Sequence, residues 1–543
     1  MLVRVRISAI VLLAVLLSVS SGPYQAAQNQ MSTGNWTGGF WLEGNWVALN
    51  VAFSREKENL IGTASVVFPS YSNTLSANNV GLTSLKTDSS AIEFEIPFNQ
   101  GKISLHGKQA SETITGRFHY GESEGDFGLT RVIYQSPQAM EKYYGIYSVS
   151  NDRFISVFRN WGDPRTLNYI DYKSGQIGTF WPSARENEFF SGPGRAVSFP
   201  VNLRVFFNED ASGEIKTISW KSADGPQLIA QRVDVNEERI TFKNGDITLG
   251  GTLILPRAKG KFPVVIVTPG DFGTNRDQLR LWAHHYVSRG IAAFIFDSRG
   301  AGESGGTVGV NSFCDVANDV LAAVGALKTR ADIDAKKIGL FGFSNSAWTV
   351  TLAASRSSDV GFLILQSLSG VEPWRQETFR AETQIRVDNF PAQIQEKTAG
   401  FMRLKFEVAQ TGQGWEKVQK ILDESSGERW LAYTNPPRSL ERLRLSYQIM
   451  TYSPVPALEK IHVPVLAYWG ENDTFVPVAQ SVAIFKKAME KAGNKDYIIK
   501  IVPKGRHDLI EGDGSPSTGA RWKNFPAGFW EMHTDWLRKH VVP

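Results

Sequence analysis

Hydrophobic residues follow two different patterns along the chain, and the change falls near residue 230. Before it, short runs alternate apolar and polar positions between Gly, Asn, Ser and Asp, a pattern typical of antiparallel strands with one buried face. One such run places four apolar residues on the same face: Val47, Leu49, Val51 and Phe53. Beyond residue 230, continuous apolar runs followed by helix-compatible stretches predict buried strands that alternate with helices.

The alternating region is predicted to span residues 28–230 and to hold two successive β units, of about 100 and 80 residues. The pattern does not decide whether these units close into small barrels or pack together as one sandwich. Its tryptophans are interpreted as core residues rather than as a ligand-binding surface. They include Trp36, Trp41, Trp46 and Trp181.

The main candidate for chemistry is Ser344, in the motif G-F-S-N-S. The motif lies directly after the apolar run 337–341 and directly before the helix-compatible stretch 347–355, so the serine falls at a strand-to-helix turn. Such a turn exposes the hydroxyl, and the N-terminal N–H groups of the helix point towards charge that develops on a substrate. Gly342 provides the small residue that this close approach requires, whereas Ser346 stands where the pattern usually has glycine.

A nucleophilic serine needs a general base and an acid that orients the base, and at a turn of this kind the two follow in the order Ser, Asp, His. Asp473 lies in a loop after the apolar run 464–469, and His507 lies just beyond the apolar run 497–502. The order of the chain therefore predicts a triad of Ser344, His507 and Asp473.

Other residues near the end of the chain compete for these roles. His533 and His540 fall within a terminal amphipathic helix rather than in a loop after a strand, which favours His507 as the base. For the acid, the weaker rivals of Asp473 are Glu471, Asp508 and Glu511.

From about Glu238 to the C-terminus these motifs resemble the α/β-hydrolase superfamily of serine hydrolases. The resemblance is esterase-like, with similarity to dienelactone-hydrolase-type enzymes and to the catalytic domain of prolyl-oligopeptidase-type enzymes. It implies an oxyanion hole formed by the backbone N–H of Asn345 and that of Asp271, or else of Phe272. Pro269 replaces the histidine that these enzymes often carry at this place.

The glycine-rich stretch 297–306 is similar to the D-x-R-G-x-G-x-S loop of the same superfamily. A dinucleotide site is rejected because the stretch follows an interior strand and contains no G-x-G-x-x-G. Its expected role is to shape the floor of the site. The resemblance requires no cofactor and no metal.

The expected fold class is thus α/β, an α/β-hydrolase fold with a helical cap insertion, preceded by an all-β N-terminal region. A segment rich in helix formers and aromatics interrupts the hydrolase pattern. The resemblance implies that an insertion at this point lies over the active site, where its aromatics would give a largely apolar pocket. The predicted divisions are a signal peptide (1–27), the β-rich region (28–230), the hydrolase domain (231–370 and 457–543) and the cap (371–456).

The N-terminus has the pattern of a secretory signal peptide. Arg4 and Arg6 precede the apolar run 7–19, and small and polar residues follow as far as Ala27. The run is too short to span a bilayer, which needs about 20 residues. The sequence therefore predicts a secreted or periplasmic protein with no stable membrane anchor after cleavage, although it does not fix the cleavage position.

Composition adds few constraints. The chain has 543 residues, of which 42% are hydrophobic and 21% charged, as expected for a globular protein of two or three domains. Without the predicted signal peptide it has 56 basic and 54 acidic residues, which gives no basis for a nucleic-acid partner. The single cysteine, Cys314, excludes an intramolecular disulfide and is interpreted as an inert packing residue.

Together these features predict an exported serine hydrolase that cleaves small carboxylic esters through an acyl-enzyme. A peptidase or aminopeptidase of the same fold is the first alternative, and a thioesterase or acyltransferase is another. A non-catalytic binding protein is the least favoured reading, because three triad members occur in the right order. The acyl and alcohol groups, the preference for ester or amide, the role of the β units and the oligomeric state stay open.

Overall fold

The computed structural model of the protein describes most of the chain, namely residues 33–67, 77–88, 90–98, 101–160, 162–192, 196–222, 226–270, 273–309, 311–512 and 523–542. The predicted signal peptide (1–27) lies outside the described residues, as do Asp271 and Phe272. The strands that are described form three sheets. In the described part of the chain, every helix is too short or too polar to cross a bilayer.

The first sheet contains nine antiparallel strands. They are β1 (Gly34–Leu42), β2 (Asn45–Glu56), β3 (Asn59–Val67), β4 (Ala77–Gly81), β5 (Ser84–Asp88), β6 (Ala91–Phe98), β7 (Gly101–Ala110), β8 (Thr113–Tyr120) and β9 (Ser123–Val132). Their order is β4-β3-β2-β1-β9-β8-β7-β6-β5. The predicted apolar face of β2 is confirmed, because all four of its residues named above are buried. Trp36 and Trp46 are buried as expected, but Trp41, next to the β1–β2 turn, is 54% exposed.

The second sheet closes on itself. Its strands are β10 (Gly145–Ser150), β11 (Arg153–Arg159), β12 (Leu167–Asp171), β13 (Gln176–Pro182), β14 (Glu188–Gly192), β15 (Leu203–Glu209), β16 (Ile215–Ser222) and β17 (Leu228–Arg232). The ring runs β12-β11-β10-β17-β16-β15-β14-β13, and the pairing of β12 with β13 makes it a barrel. Each β sheet surrounds its own hydrophobic cluster, so this region is not one sandwich.

The third sheet is mixed and has eight strands. They are β18 (Val235–Asn244), β19 (Ile247–Pro256), β20 (Phe262–Val267), β21 (Ala292–Phe296), β22 (Ile333–Phe343), β23 (Phe362–Gln366), β24 (Val465–Gly470) and β25 (Tyr497–Val502). In the order β18-β19-β21-β20-β22-β23-β24-β25, the strands from β21 to β25 are parallel. Their carboxyl ends meet at one edge, where sites of α/β sheets lie.

Helices cover both faces of this sheet. The described helices are α1 (Pro137–Met140), α2 (Arg280–Val287), α3 (Phe313–Lys328), α4 (Asn345–Ala354), α5 (Pro373–Val387), α6 (Ala392–Thr411), α7 (Trp415–Glu424), α8 (Leu440–Met450), α9 (Val455–Leu458), α10 (Val478–Ala492) and α11 (Phe529–His540), with 3-10 turns at Glu141–Tyr143, Arg276–Leu279 and Arg429–Thr434. α3, α4 and α10 pack on one face, and α2 and α11 pack on the other. The terminal helix expected around His533 and His540 is confirmed as α11.

One expectation about packing is wrong. Cys314 lies in the first turn of α3, as predicted, but its side chain is exposed rather than packed. The buried side of α3 is formed by residues such as Ala317, Val320 and Val324, and Cys314 does not fall on that side of the helix.

Residues 373–450, between β23 and β24, form a helical insertion that contains α5 to α8. It has a hydrophobic cluster of its own, centred on Phe401, Trp430, Tyr433 and Leu443. The segment is therefore a folded unit of its own rather than a set of long surface loops.

The barrel shares a hydrophobic core with the third sheet and two of its helices. Ile146, Phe158 and Ile170 from the barrel share a cluster with residues of α2 and α11. The Tyr172 hydroxyl donates to the Leu281 carbonyl at 2.5 Å, and strand β26 (Lys523–Asn524) pairs with β13.

Removal of residues 33–230 is expected to cause aggregation, because it exposes the face of α2 and α11 that the barrel covers. Removal of residues 33–135 alone leaves that face covered and should give a soluble protein. Size-exclusion chromatography of both truncated forms, with an assay on a small ester, checks this. A soluble, fully active 231–543 fragment would instead make both β units dispensable modules.

Candidate active site

Ser344 lies at the turn between β22 and α4 in a backbone conformation that non-glycine residues rarely adopt. Its φ is 55° and its ψ is −117°. The Ser344 N–H donates to the Gln366 carbonyl at 2.9 Å, which holds the turn against β23. A Cβ at Gly342 would lie 2.6 Å from the Ser346 carbonyl oxygen, so only glycine fits there. A strained serine above a strand end is the geometry expected of a nucleophile.

Ser346 occupies the place where the motif usually has glycine, and the structure explains how a serine fits. Its side chain is buried, and its Oγ accepts a hydrogen bond from the Phe343 N–H at 2.8 Å and lies 3.0 Å from the Phe343 carbonyl oxygen. The Ser346 hydroxyl therefore hydrogen-bonds to the backbone of the turn instead of clashing with it.

The three predicted triad residues lie together. His507 Nε2 is 2.9 Å from Ser344 Oγ, and His507 Nδ1 is 2.9 Å from Asp473 Oδ2. The other carboxylate oxygen of Asp473 accepts from the Phe475 N–H at 2.7 Å and from the Val476 N–H at 3.0 Å. The buried carboxylate is thereby fixed in position, and a carboxylate at Nδ1 favours the tautomer in which Nε2 accepts a proton from the serine.

Two aromatic rings and a backbone contact position the imidazole of His507. Phe475 stacks on it with ring centroids 4.8 Å apart, and Phe343 lies at 5.1 Å. The Ser367 hydroxyl donates to the His507 carbonyl at 2.8 Å. Sequence patterns did not identify Ser367 or Phe475, because their roles depend on pairing between distant strands and loops.

The rival residues take no part in the hydrogen bonds that join Ser344, His507 and Asp473. Glu471 accepts from the Lys504 N–H at 3.0 Å, and Asp508 accepts from the Ile510 N–H at 3.1 Å. His540 lies 3.0 Å from the Trp536 carbonyl oxygen, and His533 is fully buried in α11. Glu511 forms an isolated bridge with Gly505.

Asp473→Asn is expected to lower kcat/KM by about 10³ to 10⁴-fold, because an amide at Nδ1 favours the wrong imidazole tautomer and does not stabilise the imidazolium. Glu471→Gln is the matched control, two residues earlier on the same loop, and should change the rate little. Steady-state kinetics of the two purified variants decides between them. A larger loss from the glutamate change would contradict the assignment of Asp473.

The predicted oxyanion hole is described only in part. Asn345 begins α4 directly after Ser344, so its N–H lies at the positive end of the helix. Pro269 and Gly270, which precede the second predicted donor, line the same cavity as Asn345. Asp271 itself lies outside the described residues, and its role stays a prediction.

The loop 297–306 is held by hydrogen bonds and ion pairs. Asp297 accepts from the backbone N–H of Arg276 at 2.7 Å and of Glu303 at 2.9 Å, and burial raises the pKa of its carboxyl from the usual value. Arg299 binds Asp319 on α3 at 2.7 Å. Since both Arg299 and Asp319 line the cavity described next, the loop forms part of its wall.

A cavity of about 420 Å³ extends from the start of α4 to the helical insertion. Apolar side chains make up most of its wall, among them Phe313, Trp348, Trp374, Met402, Phe406 and Ile449. Trp374 and Phe406 stack with their ring centroids 4.3 Å apart. Among the described residues, those lining the cavity belong to the third sheet, its helices and the insertion, and the two β units contribute none.

The described residues contain no group of three or more His, Cys, Asp or Glu side chains arranged to hold a metal ion. A serine hydroxyl, an imidazole and a buried carboxylate joined by two hydrogen bonds are suited to nucleophilic acyl transfer.

A known family model matches the part of the chain that contains the site. The model of the family described as X-Pro dipeptidyl-peptidase (S15 family) matches residues 245–507, a span that contains Ser344, Asp473 and His507. The chain carries a domain of the α/β-hydrolase superfamily. The protein is a serine hydrolase, as the motifs predicted.

Similarity to individual relatives and solved structures is low. An uncharacterised 31.7 kDa protein of Escherichia coli is 21% identical over 299 residues, which are 53% of this chain and 95% of that protein. A Synechocystis protein named "Putative carboxymethylenebutenolidase" is 31% identical over 138 residues, 23% of this chain and 55% of its own length. A solved esterase of Pyrococcus furiosus covers 56% of this chain and 92% of its own at 16% identity, with a TM-score of 0.38.

Proposed function

We propose that this protein is an exported serine hydrolase that cleaves carboxylic esters through an acyl-enzyme. The observation that carries the proposal is the chain of two 2.9 Å hydrogen bonds that joins Ser344, His507 and Asp473. The strained backbone of Ser344 supports the same role, since such strain occurs where a nucleophile must be presented.

The reaction follows from these contacts. Ser344 Oγ attacks the ester carbonyl while His507 Nε2 takes its proton, and Asp473 stabilises the imidazolium that forms. The N–H of Asn345, together with the predicted donor at Asp271, binds the oxyanion. His507 then gives the proton to the departing alcohol. Water then attacks the acyl-enzyme while His507 takes its proton. His507 returns that proton to Ser344 Oγ, which releases the acid and restores the serine hydroxyl.

The helical insertion is proposed to act as a cap over the site. Its residues Trp374, Met402 and Phe406 line the same cavity as Asn345, the residue after the nucleophile. A largely apolar wall accommodates the carbon chain of an acyl or alcohol group and keeps bulk water away from the acyl-enzyme.

Peptide hydrolysis is the second candidate, and the match to the X-Pro dipeptidyl-peptidase family model favours it. The same triad cleaves amides on other members of the fold, so the triad does not distinguish the two. The distinction depends on which substrates the cavity accepts.

A panel of p-nitrophenyl esters of increasing acyl length, assayed beside aminoacyl and X-Pro p-nitroanilides, tests this choice. The esters release p-nitrophenolate and the anilides release p-nitroaniline, so each product is quantified with its own extinction coefficient before the kcat/KM values are compared. Preference for the esters by at least two orders of magnitude is expected. Faster cleavage of the X-Pro anilides would make the protein a peptidase.

Export is proposed from the charged, apolar and small-residue segments of residues 1–27. N-terminal sequencing of the protein recovered from the periplasm or medium of an expressing bacterium tests it. The expected N-terminus lies near Ala27, and an intact Met1 in the cytoplasmic fraction would refute export.

A further inference from the structure

One charged side chain lies in the cavity wall with little to neutralise it. Lys405, on α6, is only 6% exposed and lines the cavity. Its Nζ donates to the backbone carbonyl of Thr434. An ammonium group has three donors, and burying it is costly unless an anion or further acceptors compensate.

The nearby carboxylate is already used by another cation. Glu377, on α5, binds Arg380 at 2.8 Å and accepts from Asn435 Nδ2 at 2.9 Å. Arg380 also donates to the Tyr433 carbonyl at 3.0 Å, so the pair is fixed. Two cations, Arg380 and Lys405, thus share one carboxylate.

The remaining charged groups of the cavity do not cancel this excess. Arg299 and Asp319 pair with each other at 2.7 Å. Arg442, which is exposed, adds a further positive charge at the wall. The wall formed by the insertion is therefore positive and suited to an anion.

The same cavity extends from Asn345, the residue after the nucleophile, to Lys405 on the insertion. Asn345, whose N–H is assigned to the oxyanion hole, and Lys405 both contribute to its wall, with the stacked rings of Trp374 and Phe406 on the insertion side. A molecule that fills the cavity would have an apolar middle and would place its far end near the ammonium group.

We propose that Lys405 binds a carboxylate at the end of the acyl group remote from the scissile ester. The preferred substrates are then esters of dicarboxylic acids that keep one carboxylate free. This inference rests on the proposed esterase function and adds the substrate class to it.

A matched pair of substrates tests the proposal, because monomethyl adipate and methyl hexanoate differ only in a carboxylate that replaces a terminal methyl group. The wild type should show a higher kcat/KM for the adipate, measured by released methanol. Lys405→Met should lower the adipate-to-hexanoate ratio by about tenfold, mainly through KM, because a charge-assisted hydrogen bond is lost. Lys405→Arg should keep part of the preference.

Lys397→Met is the control. Lys397 lies on the same helix, α6, but its ammonium group is on the surface, 3.3 Å from Glu428. The Lys397→Met substitution also removes one positive charge from the protein, but it does not change the cavity, so it should leave the adipate-to-hexanoate ratio at the wild-type value. If the ratio fell equally in Lys405→Met and Lys397→Met, the preference would come from the long-range charge of the protein rather than from Lys405, and the proposal would be overturned.

The ratio should also depend on pH. Burial lowers the pKa of Lys405 to about 8, with Glu377 raising it and Arg380 lowering it further. Below this value the ammonium is charged and binds the carboxylate, and above it the neutral amine does not. The adipate-to-hexanoate ratio should therefore fall between pH 7 and pH 9. Titration of the catalytic imidazole affects both substrates alike and cancels in the ratio.

Calorimetry separates this proposal from the esterase assignment. Ser344→Ala protein should bind monomethyl adipate more tightly than methyl hexanoate, and Lys405→Met in that background should remove the difference. Binding that depends on Lys405 without hydrolysis in the wild type would refute the esterase and keep the carboxylate site. Hydrolysis of methyl hexanoate with equal adipate-to-hexanoate ratios in folded wild type and Lys405→Met would refute the carboxylate site alone. Neither hydrolysis nor Lys405-dependent binding would refute both the esterase function and the carboxylate site.

Discussion

Ser344→Ala should lower kcat/KM for the best ester by at least about 10⁴-fold while the protein stays folded. The reason is that His507 would have no hydroxyl to deprotonate, so the acyl-enzyme could not form. The strain at the turn does not depend on the hydroxyl, since β22, β23 and the start of α4 hold the backbone. The thermal midpoint should therefore change little.

Labelling provides an independent measurement of the same residue. A fluorophosphonate probe should modify the wild type at Ser344 only, as read by peptide mass spectrometry, and should not label Ser344→Ala. Ser346→Ala is the matched control, because it removes the hydroxyl that closes the turn but keeps the nucleophile. Labelling of Ser346→Ala is expected to persist, and modification at another serine of the wild type would contradict the assignment.

The local part of the site was predictable from sequence. The strand, the turn and the helix around Ser344 are signalled by a short apolar run, a glycine and a helix-compatible stretch within about one turn of each other. Asp473 and His507 could be chosen because both follow apolar runs, and the carboxyl ends of parallel strands meet at one edge. The roles proposed for both residues follow from chain order and need no long-range information.

Closure of the barrel was not predictable in the same way. Alternation identifies strands and their buried faces, but the pairing of β12 with β13, and of β13 with β26 far along the chain, depends on contacts that leave no local signal. The hydrophobic core that the barrel shares with α2 and α11 also depends on contacts between residues far apart in the chain. The pattern therefore predicted a β-rich region without showing that its barrel shares a core with the third sheet.

The cavity illustrates the same limit. The aromatic residues of the insertion were expected near the site, and Trp374 and Phe406 do line the cavity. The position of Lys405 could not be foreseen, because a lysine on a helix is normally on the surface. Only the packing of α6 against the rest of the insertion makes it a buried cation.

The second large effect is expected from His507→Ala, which should lower kcat/KM nearly as much as loss of the serine, because the triad acts as one unit. His533 is the informative comparison. It is fully buried, and burial, with a smaller contribution from Arg289, lowers its pKa to about 3. His533 therefore stays neutral at working pH and cannot produce a rate change near neutrality.

The comparison uses kcat/KM against pH for the wild type and for His533→Ala. Both profiles should rise as the imidazole of His507 loses its proton, because only the neutral ring accepts the serine proton. His533→Ala should lower the thermal midpoint, since a buried ring is replaced by a cavity, yet keep the rate per folded molecule and the shape of the profile. His540→Ala should leave the rate per folded molecule and the shape of the profile unchanged. If His533→Ala were inactive while His507→Ala kept its activity, the base would lie in α11, and the 2.9 Å contact between His507 and Ser344 would have no catalytic role.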